Sequence, residues 1–150
     1  MAINPSFKSS RGIIKIGAQI LLMSKEFPFF KCTYFRGKSA IWKGKVRPDV
    51  LSREYTVNLS YAEGEAIPKV QIISPELTHK YGKIPHIYSD TGGLCLFYLG
   101  DDNEDKIWRP NKPLTMIVPW ILLWLIFYEV FEVTGKWEGG GIGHGNPTSK

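Results

Sequence analysis

From Leu114 to Tyr128 the chain reads LTMIVPWILLWLIFY, fifteen residues without a charge. A stretch this apolar must be kept from water, and its length decides how. Crossing a bilayer takes about 20 apolar residues, whereas this run meets Glu129 and Glu132 first and holds Pro119 inside it. A helix of this length that is apolar on every side belongs in the middle of a globular core. The expectation is therefore a buried helix and no membrane span. Pro119 suits the first turn, where its missing N–H costs nothing, the helix reaches about Val133, and Gly135 is a fitting stop.

Such a helix needs another layer to pack against, and the first half of the chain supplies one. An opening helix is expected from about Gly17 to Met23 or slightly beyond, with Leu21, Leu22 and Phe27 on one face and Pro28 as its breaker. Four period-two stretches follow. Phe30, Cys32 and Tyr34 alternate with Lys31, Thr33 and Phe35, RGKS turns the chain, and Ala40 to Val46 runs back. Tyr55, Val57, Leu59 and Tyr61 share one face of a third strand, and Lys69 to Ile73 forms a fourth with a proline at each end. Short turns between consecutive strands give an antiparallel meander. The fold class is thus α+β: an N-terminal helix, a four-stranded antiparallel meander, a long loop, and a central apolar helix, with the helices covering one face of the sheet. The 150 residues suit a single domain over 1–150, with a glycine-rich tail from about 138.

Composition removes several function classes. The net charge of +5 comes from 19 basic residues spread along the chain, without the compact cluster that a phosphate track requires, so no nucleic-acid partner is expected. Cys32 and Cys95 are the two cysteines; they cannot build a four-thiolate zinc site, so no metal and no cofactor are expected. Cys32 reads as an inward strand residue acting as a small hydrophobe. The first residues, MAINPSFKSSRGIIKIG, lack an apolar signal core, which makes a reducing cytoplasm with free thiols the expectation.

Periodicity fails from Thr78 to Trp108, and long unstructured stretches in compact domains are usually functional. Within it stands HIYSDTGGLCLFY, residues 86–98. Cys95 follows the pair Gly92 and Gly93, which lets the backbone approach a substrate and take unusual φ angles. A nucleophilic cysteine must be reachable, form a thiolate, and have donors where charge develops on the acyl oxygen. His86, nine residues upstream, can donate a hydrogen bond, shape the loop or act as a base. Asp101 to Asp105 provide an acidic edge able to hold an incoming amine or take its proton. Taken singly these residues have plain structural readings too: a loop histidine as hydrogen-bonder, a core cysteine, a glycine turn.

Their order gives them meaning. IPKV at 67–70, the position of His86, GGLCL at 92–96, IWRPNKPLT at 107–115 and PWILLWLIFYEVFEVTGKWEGGG at 119–141 together resemble the ubiquitin-conjugating enzymes. The likeness is strongest to their bacterial relatives in CBASS-type antiphage defence operons, and it extends over roughly Ile20 to His144. The resemblance implies that Cys95 is the thioester-forming cysteine, that His86 organises the loop more than it acts as a base, and that Trp108 anchors the loop's return to the core. The family's proline and asparagine after the histidine are replaced by Ile87 and Tyr88. The asparagine is credited with supporting the oxyanion, so a Tyr88 hydroxyl or backbone N–H groups would have to serve instead. Binding residues implied are Tyr88, Gly92, Gly93 and Trp108. His144, in the glycine-rich tail, is either an extra acid or base folded over the site or a plain tail residue.

The implied partner is a protein donating a C-terminal glycine, either a ubiquitin-like protein or a cyclic-oligonucleotide synthase. The chain has no nucleotide-binding glycine loop, so activation falls to a separate enzyme or is unnecessary. Gly139 to Gly141 is not a terminal diglycine, which makes the chain the carrier and not the modifier. Two other readings remain open: a non-catalytic scaffold with the same fold, and a Cys-His thiol hydrolase, which lacks a third orienting group beside His86.

Overall fold

The computed structural model describes residues 12–78 and 80–139. Helix α1 covers Ile16–Glu26, followed by strands β1 (Lys31–Phe35), β2 (Ser39–Val46), β3 (Tyr55–Ala62) and β4 (Lys69–Ser74), and helix α2 (Ile117–Thr134) follows the long loop. The sheet has the order β1-β2-β3-β4, antiparallel throughout. Its register places Trp42 opposite both Cys32 and Leu59, and Leu59 opposite Val70. On β3 the alternation is complete: Tyr55, Val57, Leu59 and Tyr61 are buried and the residues between them are not. That is the α+β order the alternation predicted, and Cys32 sits half-buried against the core, with burial pushing its thiol pKa up.

The face of α1 differs from expectation. Leu21 is 54% exposed, and the buried residues are Ile16, Gln19 and Met23. A glutamine occupies the core side because both ends of its amide are used. Gln19 Nε2 donates to the Lys112 carbonyl at 2.9 Å, and Oε1 accepts from the Leu114 N–H at 2.8 Å. These bonds lash α1 to the turn that feeds α2 and satisfy groups that would otherwise be buried without partners. The Glu63 carboxylate accepts from the Ile16 N–H at 2.7 Å, placing negative charge at the amino end of α1.

Helix α2 starts after a 3-10 turn at Leu114–Met116 and carries Pro119 in its first turn. It stops at Gly135, whose φ of 76° lets its N–H return to the Phe131 carbonyl at 2.8 Å. Its length and composition would allow a membrane crossing, yet Ile121, Leu125, Tyr128 and Phe131 are buried in the same core as the sheet. Full burial was the expectation, and it does not hold. One side packs inward, whereas Leu123 is 48% exposed and Trp120 and Phe127 are half-buried. Polar contacts lock the far end of the helix to the sheet: Glu129 accepts from Ser52 Oγ at 2.7 Å and from the Tyr55 hydroxyl at 2.6 Å, and Arg53 pairs with Glu132 at 2.8 Å. Burial, then the Glu129 carboxylate, raises the Tyr55 pKa far above the usual phenol range.

Candidate active site

The site begins where β4 ends. Between Pro75 and Pro113 the described residues contain one 3-10 turn, Glu104–Lys106, and one isolated bridge, Ile87 to Leu94. That bridge folds residues 86–95 into a small hairpin. Cys95 N–H donates to the His86 carbonyl, Tyr88 N–H to Gly93, and Gly92 N–H to Tyr88, each at 2.8 Å. The hairpin is stitched to β4 by Leu94 N–H on the Val70 carbonyl at 2.8 Å and by Gln71 Nε2 on the Thr91 carbonyl at 3.0 Å.

The glycine pair divides its work. Gly92 has φ +75°, a conformation that costs an L side chain, with open space beside it. At Gly93 a Cβ would lie 3.3 Å from the Val70 carbonyl oxygen, a tight contact that the missing side chain avoids where the hairpin rests on β4. His86 also has positive φ, 59°, which for a non-glycine residue persists only when its surroundings hold it. Here its carbonyl accepts twice, from Cys95 N–H and from the Trp124 indole at 3.1 Å. Its ring lies 5.2 Å from that of Trp137, which in turn packs 5.3 Å from Trp124. The backbone of Cys95 is thus fixed through one carbonyl oxygen to the central helix.

Cys95 lines a cleft of about 360 Å³. The cleft is lined by His86 and residues 96–98, by Trp120, Leu123, Trp124 and Phe127 of α2, by Trp137 and Gly139, and by Asp101 and Lys106, which add charge. Cys95 is 8% exposed, with Sγ 3.9 Å from the Phe97 carbonyl oxygen, within reach of a weak S–H donation. The sulfur is therefore recessed at the wall of an open cleft.

His86 and Cys95 are brought together in this cleft. Tyr88 and Gly93 are not; they line a second depression of about 250 Å³ with Ile67, Pro68 and Asp90. Burial, then the charge of Asp90, raises the Tyr88 pKa. Gly92 shapes the turn. Trp108 is fully buried, edge-on to Tyr61 at 5.3 Å, and its indole donates to the Pro113 carbonyl at 3.0 Å, so it pins the end of the loop to the core. Among the described residues no His, Cys, Asp or Glu cluster could hold a metal. His144 lies outside the described residues.

Sequence reasoning did not single out Trp124, Trp137 or Leu123 as site residues. For Trp124 and Leu123 a signal existed: a helix apolar on every side has more apolar surface than one core can take, and part of the surplus lines the cleft that Cys95 also lines.

The model of the family described as Type II CBASS E2 protein matches residues 19–145, which take in most of α1, the whole sheet, the cysteine loop and α2. None of the curated proteins matches the chain at a significant level.

Proposed function

We propose, from the premise that this chain belongs to the Type II CBASS E2 family, that Cys95 carries an acyl group as a thioester. Membership gives the chain a role in CBASS antiphage defence with E2-like character. The finer reading is our own, and the observation supporting it is the placement of Cys95: backbone fixed by a two-donor carbonyl, side chain at the wall of an open cleft.

In this reading the Cys95 thiolate attacks the carbonyl carbon of an activated C-terminal glycine. The tetrahedral intermediate collapses and expels the donor's leaving group, a thiolate if the glycine arrives as a thioester on a separate activating enzyme. An amine then attacks the new thioester, Cys95 leaves as thiolate, and the amine's proton passes to water or to a carboxylate such as Asp101 at the cleft. Where no amine reaches the thioester, the product is a held adduct. The Cys95 N–H is already given to His86, so the charge developing on the acyl oxygen must meet other donors. Tyr88, lining the neighbouring depression, would have to turn toward the cleft to be one of them. The donor is a CBASS protein ending in glycine, such as the cyclic-oligonucleotide synthase, or a ubiquitin-like protein, and the reaction runs in the cytoplasm.

The low exposure of Cys95 favours a second reading, a scaffold that docks partners without chemistry. One experiment separates them. The full chain is co-expressed with its neighbouring defence genes, and intact mass is measured with and without thiol reductant. A reducible adduct that Cys95→Ala abolishes is expected; an adduct that survives this change, or full defence activity in the Cys95→Ala strain, refutes the transferase.

A further inference from the structure

An acyl chain bonded to Cys95 has to leave through the cleft that Cys95 lines, and α2 forms one wall of that cleft. The wall residues Trp120, Leu123, Trp124 and Phe127 follow helical spacing of three and four, a stripe about 10 Å long at 1.5 Å per residue. An extended peptide covers that distance in about three residues. The stripe is large, apolar and partly wet: Leu123 is 48% exposed and Phe127 half-buried. Exposed apolar surface continuous with a recessed nucleophile gains free energy when a ligand removes it from water. A polar side chain against this apolar wall would lose hydration and gain little in return; Asp101 and Lys106 line the same cleft and can pair with charge, so the informative comparison is with uncharged polar residues.

We infer that the acyl donor ends in glycine preceded, within about three residues, by at least one large apolar side chain that seats against Trp120, Leu123 and Phe127. The inference rests on the thioester reading of Cys95. It commits the cleft to the donor's own tail, which arrives with the reaction.

The test uses the full chain and three synthetic peptide thioesters of mercaptoethanesulfonate, acetyl-Gly-Gly-Gly, acetyl-Leu-Phe-Gly and acetyl-Ser-Gln-Gly. In each, the Cys95 thiolate attacks the glycyl carbonyl, a new C–S bond forms, and mercaptoethanesulfonate leaves as thiolate. Initial loading rates are read by intact mass, with Cys95→Ala subtracting acylation elsewhere, Cys32 included. The Leu-Phe-Gly peptide should load about tenfold or more faster than Ser-Gln-Gly, the scale of burying one apolar side chain. Leu123→Glu, at a position exposed enough to accept the charge, should cut that ratio to about twofold or less. Equal rates for the three peptides, or an unchanged ratio in Leu123→Glu, overturn the tail preference and leave the thioester reading standing. If no peptide loads while iodoacetamide still alkylates Cys95, the thioester reading falls and takes the preference with it.

Discussion

Replacing Trp124 by phenylalanine removes the indole N–H that reaches the His86 carbonyl at 3.1 Å and keeps the bond that this carbonyl accepts from the Cys95 N–H. Two costs follow, and they differ in where they are felt. The smaller ring leaves Trp124's place in the core underfilled, a loss of about 1 kcal/mol. The hydrogen bond contributes about 1 kcal/mol more. Together they should lower the melting temperature by roughly 4–8 °C, at about 2–4 °C per kcal/mol for a domain of this size. The packing loss weakens the whole fold, but the hydrogen bond also holds the loop shut. Local opening of the 86–95 hairpin should become easier by about 1 kcal/mol, so exchange at the Cys95 amide should quicken about fivefold. Hydrogen exchange followed by NMR measures this directly, with the amides of Val57 and Leu59 in β3 reporting the global change. If the melting temperature falls while Cys95 exchange changes by less than about twofold, the bond from α2 does not hold the Cys95 loop, and the argument for Trp124 as a positioning residue fails.

Other changes test other joints. Gln19→Ala strips both partners from the Lys112 carbonyl and the Leu114 N–H and should cost about 2–4 kcal/mol, read by urea denaturation; a loss under about 1 kcal/mol would mean water replaces the amide. Gly92→Ala has open space for its methyl but φ +75°, so it should destabilise by about 1–2 kcal/mol through backbone strain alone, and an unchanged midpoint would show that the turn relaxes freely. Tyr55→Phe removes a hydroxyl that donates to the Glu129 carboxylate at 2.6 Å and should cost about 1.5–3 kcal/mol near neutrality. Because folding raises the Tyr55 pKa, its stabilisation is complete below the ordinary phenol range near pH 10 and declines as pH climbs beyond it. The gap between wild type and Tyr55→Phe should therefore narrow from about pH 9 to 11, and a constant gap would disprove the coupling.

The sheet was legible because a strand with one buried face writes that fact at period two, and Tyr55, Val57, Leu59 and Tyr61 do so without interruption. The family could be read from short motifs whose order survives even where residues such as Ile87 and Tyr88 depart. The apolar pattern of helix α1 locates the helix but misplaces Leu21, which is exposed, while Phe27 does pack against the core. Its core side is held by Gln19 through two bonds to residues more than ninety positions away, and no local pattern announces a distant partner. The site was partly legible in the same way: Cys95 and His86 stand out by type and context, but Trp124 and Trp137 look like any core tryptophans until the fold brings them to His86.

By itself the sequence determined what local rules encode: alternation in the strands, the glycine turn before Cys95, and the presence of a helix too apolar to stay in water. Only the tertiary structure decided which side of that helix enters the core and which side walls the cleft beside Cys95. Apolar periodicity records that a surface must be hidden, whereas what hides it depends on chain segments that meet only after folding.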